Sequence, residues 1–147
     1  MKDQLITLET AKLANNKNFD IDCDFKIDPK SEYHFCCDLA YPNNSEFTYD
    51  PENDPEVIEF HQWRKTLLEA PTQSLLQKWL REIHKIDIQI LRNKPGYNEY
   101  KVEIYKTDDT DTYMHFWIKE NGYIIFYDTY EEALECGLSE ALKLIKI

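Results

Sequence analysis

The chain reads as an α+β protein. The expected core is an antiparallel four-stranded sheet over about 86–127, with helices over about 72–84 and 129–146 on one face, preceded by an N-terminal helix and a β-hairpin. Three features predict this. Around Trp79, the apolar residues Leu75, Leu76, Trp79, Leu80 and Ile83 recur at helical spacing and form one stripe. Directly after it the period drops to two, with Ile86, Ile88 and Ile90 alternating with Asp87 and Gln89. A second helical stripe, Leu134, Leu138, Ala141, Leu142 and Ile145, leads to the end of the sequence. Helices and strands that each have one apolar side bury it against a shared layer.

Taken in order, residues 6–16 predict a short helix capped by Thr7, with Leu8, Ala11 and Leu13 or Ala14 facing inward. Phe19, Ile21, Cys23, Phe25 and Ile27 alternate with polar residues and predict a strand. The turn Pro29–Glu32 leads to its hairpin partner over Tyr33–Leu39. Residues 41–53 read as loop. Asp54, Pro55 and Glu56 open a helix over 56–69 with Val57, Phe60, Trp63, Arg64, Leu67 and Leu68 along it. Pro71 suits the first turn of the Trp79 helix, and Thr72 is its cap. After Ile90, Asn93–Gly96 is a turn. Strands are expected over Glu99–Lys106, Thr112–Ile118 and Tyr123–Tyr127, the last two joined by a tight turn at Asn121–Gly122. Asp128 with Glu131 predicts a capping box for the last helix.

With 147 residues, the chain is read as one domain. Its acidic front part spans 1–70 and its α-β-β-β-β-α core spans 71–147. A chain of this length hides roughly 70% of the surface it exposes unfolded, so it needs no staples. No apolar run approaches the roughly 18 residues of a membrane span, and no signal peptide is evident, so a cytoplasmic protein is expected. The net charge of −11 argues against contacts to nucleic-acid phosphates. Residues 1–70 hold 15 acidic and 7 basic side chains, against 13 and 10 over 71–147, so the excess sits in front. Solvation accounts for such an excess, and a basic protein partner would suit it.

Several chemistries are excluded or weak. Three glycines are too few for a dinucleotide fingerprint or a phosphate-binding loop. His34, His61, His84 and His115 are too scattered for a zinc helix. Asp50, Glu52, Asp54 and Glu56 imitate the start of a calcium loop, but Pro55 stands where its sharp turn needs glycine. Asp20, Asp22 and Asp24 read as charge protecting an edge strand. Cys23, His34, Cys36 and Cys37 could converge on zinc or form a thiol–imidazole pair, but Cys23 belongs to an apolar strand face. Free buried thiols, no cofactor, no metal and no catalytic residue are the expectation.

The block Ala-Pro-Thr-Gln-Ser-Leu-Leu-Gln-Lys-Trp-Leu-Arg-Glu at 70–82 resembles a family of small uncharacterised bacteriophage and prophage proteins of gut bacteria. So does Thr-Tyr-Glu-Glu-Ala-Leu-Glu-Cys-Gly-Leu-Ser-Glu-Ala-Leu-Lys-Leu-Ile at 129–145, and the opening Leu-Ile-Thr-Leu-Glu-Thr-Ala-Lys-Leu-Ala is similar to the N-terminal helix of that family. Where members carry glycine near position 18, this chain has Asn18. The resemblance implies a phage context and transfers no activity.

The sheet's two faces separate by alternation. Ile86, Ile88, Ile90, Tyr100, Val102, Ile104, Met114, Phe116, Ile118, Ile124 and Phe126 should meet the helices. The opposite face begins polar, with Asp87, Gln89, Lys101 and Glu103, and then turns aromatic: Tyr105, Tyr113, His115, Trp117, Tyr123 and Tyr127, with Ile125 among them. Such a patch is either a second core under the N-terminal hairpin or an interaction surface. The expected function is that of a small acidic, non-enzymatic accessory protein acting by protein–protein contact, for example as an inhibitor of a host defence factor. Self-association through the aromatic face is a further expectation. The alternative is a nucleotide or metabolite binder that uses Tyr113, His115 and Trp117 as stacking and polar groups.

Overall fold

In the computed structural model the described residues are 3–36, 55–107, 110 and 113–146. Helix α1 (Leu8–Asn16) starts where the Thr7 hydroxyl accepts from the Thr10 N–H. It ends with Asn18 in the left-handed region (φ 62°). The Asn18 and Phe19 N–H groups donate back to the Asn15 and Ala14 carbonyls, closing the last turn and burying Phe19. Asparagine tolerates the backbone that a glycine would take there. Strands β1 (Phe25–Ile27) and β2 (His34–Cys36) form the hairpin in antiparallel register, Lys26 opposite Phe35. The expected strand over 19–27 is paired only from Phe25 onward. Residues 19–23 keep the alternating burial but have no ladder partner. Helix α2 (Pro55–Arg64) is shorter than expected. Leu68–Glu69 forms β3 and pairs with Ile27 and Lys26 instead of extending the helix. Cross-strand pairing overrides helical spacing there, and Glu69 secures it: its carboxylate accepts from the Cys23 N–H (3.1 Å) and pairs with Lys26 (3.1 Å). The loop expected over 41–53, the end of the second hairpin strand, and residues 108, 109, 111 and 112 lie outside the described residues.

Helix α3 (Gln73–His84) begins at the expected Thr72 cap, whose hydroxyl accepts from the Leu75 N–H at 3.2 Å, while Pro71 precedes the cap instead of occupying the first turn. Leu76, Trp79 and Leu80 are buried. The stripe fails only in the last turn, where Ile83 is 64% exposed. Lys85 (φ 55°) turns the chain straight into β4 (Ile86–Arg92). Strand β5 (Tyr100–Thr107) lies between β4 and β6 (Tyr113–Trp117), all antiparallel, with Ile88 opposite Ile104 and Ile104 opposite Phe116.

The expected fourth strand is different. Lys119–Glu120 (β7) and Tyr123–Ile124 (β8) form a separate two-stranded ribbon whose turn uses Asn121 and Gly122 at positive φ, as two-residue hairpins demand. Beyond this ribbon, Tyr127 returns to exchange both backbone hydrogen bonds with Tyr100. The last segment therefore continues the β6 line along β5 rather than adding a strand beyond it. The face assignment shifts with it. Directly opposed residues share a face, so Tyr127 turns to the helix side with Tyr100, and Phe126 is exposed. Met114, also expected inward, is 44% exposed near the sheet margin.

Helix α4 (Tyr130–Lys143) is capped by Thr129, whose hydroxyl accepts from the Glu132 N–H; the cap lies one residue beyond the expected Asp128. Helices α3 and α4 both pack on the face of Ile86, Ile88, Val102 and Ile104, all of which are buried. Glu135 ties this layer to the start of α1. One carboxylate oxygen accepts from the Thr7 N–H (2.7 Å) and the other from the Gln73 side-chain amide (3.0 Å). Near the other helix ends, Lys17 and Lys106 donate to the Ile145 and Leu144 carbonyls, satisfying acceptors that α4 leaves open. No helix among the described residues is long and apolar enough to cross a membrane.

A Cβ on Gly137 of α4 would lie 2.8 Å from Ile88 Cγ2 and 3.0 Å from Val102 Cγ1. Gly137→Ala gains about 1 kcal/mol of helix propensity but overpacks this contact at a cost of about 1–3 kcal/mol. The expected net loss of about 1 kcal/mol is read from the urea midpoint; an unchanged or higher midpoint would mean the contact has slack.

In the hairpin turn, the buried Asp28 carboxylate accepts from the Lys30 N–H (3.0 Å), the Trp63 indole (3.2 Å) and the Ser31 hydroxyl (2.9 Å). These bonds, the Lys30 and Trp63 ones first, hold its pKa below the ordinary 3.8. Its stabilising contribution is thus complete above that value and is lost as pH falls through the folded pKa. The stability gap between the parent protein and Asp28→Ala should narrow below pH 3.8; a gap constant down to about pH 2 would refute this.

Candidate interaction face

The outward face of β4–β5–β6 is organised by register. Glu103 lies between Gln89 and Trp117, and Tyr105 between Asp87 and His115. Side chains directly opposite on an antiparallel pair stand close enough for rings to touch. Tyr105 and His115 stack with centroids 5.1 Å apart and planes at 18°. Tyr113 continues the stack at 6.1 Å from His115, and Trp117 meets His115 edge-on at 6.4 Å. Lys101 Nζ lies 4.5 Å from the Trp117 ring centroid, within cation–π range. The result is one row, Tyr113–His115–Trp117, along β6, backed by Tyr105 and Lys101.

Glu103 lies beneath the row and is only 6% exposed, although it belongs to the water-facing side. A buried carboxylate needs partners. His115 Nε2 supplies one, an ion pair when the imidazole is protonated, and the Tyr105 hydroxyl supplies the other. The bond to Glu103, then burial and the Glu103 charge, push the Tyr105 phenol up to about 12. Tyr105 therefore stays a neutral donor at physiological pH. The carboxylate, imidazole and phenol are turned toward one another. That arrangement makes a rigid, hydrogen-bonded aromatic platform, suited to contact.

Of the six residues expected on this face, Tyr105, Tyr113, His115 and Trp117 come together. Tyr123 is 79% exposed but sits on the β7–β8 ribbon, outside the sheet that carries the row. Tyr127 does not belong. It faces α4, its hydroxyl donates to Cys136 Sγ at 2.8 Å, and burial together with that contact raises its pKa. The described part of the N-terminal hairpin does not make this face a second core. It joins β3 in a separate sheet, and His34 Nε2 meets the Ile6 carbonyl at 3.1 Å. Tyr113 remains 60% exposed. Glu103 was legible only as a polar position beside the patch, because its burial depends on His115 across the ladder.

Among the described residues, the zinc and thiol readings find no geometry. Cys23 is buried, and desolvation followed by the Glu69 charge pushes its thiol up to about 12. Cys36 is exposed, and Cys37 lies outside the described residues, as do Asp50, Glu52 and Asp54. Among the described residues, no three His, Cys, Asp or Glu side chains converge as a metal site.

His115→Ala removes one of Glu103's two partners and should destabilise the fold by about 1–3 kcal/mol. Tyr113→Ala, at an exposed position, should move stability by no more than about 0.5 kcal/mol. Thermal and urea unfolding of both variants tests the assignment; equal effects would mean that His115 does not support Glu103.

Compared with family models, curated proteins and solved structures, the chain matches none, so the role of this face is read from its own geometry.

Proposed function

We propose that this chain is a small, acidic, non-enzymatic accessory protein of phage type that works by protein–protein contact through the Tyr113–His115–Trp117 face. The observation that supports this reading is the aromatic row, exposed at Tyr113 and His115 and half-buried at Trp117, ordered over a buried carboxylate. Preorganised tyrosine and tryptophan side chains give contact area at low entropic cost and concentrate binding energy. With 28 acidic against 17 basic residues, the chain favours a basic partner through long-range attraction. A host defence factor is one class of partner that fits the phage-type resemblance of residues 70–82 and 129–145.

The test is capture from host lysate with the parent protein, Tyr113→Ala and Trp117→Ala, at two salt concentrations. Both variants should lose the partner while keeping the parent's circular dichroism and melting curve. Retention by the parent should weaken as NaCl rises from about 0.05 to about 0.5 M, because salt screens the attraction. A partner retained by both folded variants would move the function elsewhere on the surface.

A further inference from the structure

The backbone along the outer edge of β6 carries a second message, independent of what the aromatic face binds. In an antiparallel pair, hydrogen-bonded residues alternate with residues whose backbone groups point the other way. Thr107 donates to the Lys85 carbonyl and Asn93 to that of Glu99, so odd-numbered residues of β5 bond to β4. Ile118 donates to the Val102 carbonyl, and Tyr100 exchanges bonds with Tyr127, so even-numbered residues of β5 bond toward β6. In β6 the ladder therefore runs through Met114 and Phe116. The N–H and C=O groups of Tyr113, His115 and Trp117 point away from the sheet, where no described strand lies.

Among the described residues, this edge lacks the usual protection. Residues 113–117 contain no proline, lysine or acidic side chain, and the paired register contains no bulge. The opposite edge differs: there the Gln77 side-chain amide covers the Ile88 carbonyl at 3.0 Å. At the far end of β6, the β7–β8 ribbon leaves the line of the strand, which confines the open edge to about one short strand.

We infer that β6 pairs antiparallel with β6 of a second copy of this chain, about a two-fold axis at His115. The edge is complementary to itself in that register. His115 meets its own symmetry mate, and its outward N–H and C=O groups are those that such a pair exchanges. Tyr113 then lies opposite Trp117 of the other copy, and Trp117 opposite Tyr113, giving two aromatic cross-strand pairs. On the other side, the half-exposed Met114 meets Phe116. The dimer joins two three-stranded sheets into one of six and doubles the aromatic row. An edge of five residues is at the small end for interfaces, so the dimer is weak and concentration-dependent. Two chains of charge −11 repel each other, so salt strengthens this association, whereas it weakens binding of a basic partner.

Sedimentation equilibrium on the full chain from about 10 μM to about 1 mM tests this. The dimer fraction should rise with concentration and rise again between about 0.05 and about 0.5 M NaCl. Tyr113→Pro removes an outward N–H that the β5 ladder does not use, and Met114→Lys places a charge in the interface. Both should be monomeric across the range with parent-like circular dichroism. In the parent protein, hydrogen exchange at the Tyr113, His115 and Trp117 amides should slow as concentration rises, a readout that needs no variant. A parent that stays monomeric throughout, or a dimer whose three amides exchange at the monomer rate, overturns the inference. Either result leaves the partner-binding face untouched, because that face is read by the opposite salt dependence.

Discussion

The fold depends on how closely α4 approaches the sheet. Gly137 brings the helix backbone onto Ile88 and Val102, at distances where a single methyl group would collide with both. Leu134, Leu138, Ala141 and Leu142 are then buried along the same helix, and Leu76, Trp79 and Leu80 of α3 fill the rest of the layer. Interiors are packed to crystal-like density, so this one short contact sets the spacing at which every other side chain must fit. The start of α1 is secured to the same helix by Glu135, which also takes the amide of the buried Gln73.

One face of β4–β5–β6 is committed to that layer, and the other is left to do something else. Its polar and aromatic residues are not a scatter of exposed side chains. Glu103 is buried because the rings of β6 close over it, and the rings are ordered because Glu103 holds His115 and Tyr105. Each half of the cluster supplies what the other lacks, a covered carboxylate on one side and a fixed ring orientation on the other. Stability and recognition are therefore coupled at His115, whereas Tyr113 and Trp117 extend from the cluster without bonding the carboxylate. The open backbone of β6 adds a direction in the plane of the sheet to the direction the aromatic face offers above it.

Local signals with a single dominant cause were readable in advance. Thr7 and Thr72 cap their helices because a hydroxyl just before an amphipathic run has an unpaired N–H within reach. Asn121–Gly122 turns tightly because both residues tolerate positive φ. The alternation of Ile86 to Ile90 and of Tyr100 to Ile104 indicated two strands with one buried face. Signals that depend on a distant partner were misread. Leu68 and Glu69 continued a helical pattern, yet they pair with β1, and the order of the last strands hid the ribbon that carries Tyr123 out of the sheet.

The sequence by itself determined the α+β class, the helices around Trp79 and Leu138, and which of Tyr105, Tyr113, His115 and Trp117 share a face. Each follows from periodicity, which the backbone imposes within a few residues. Only the tertiary structure decided that Glu103 is buried, that Tyr127 turns inward, and that β6 is an edge among the described strands. Those outcomes rest on ladder register between segments far apart in the chain. A shift of one residue in such a register exchanges inside for outside, and no local spacing records it.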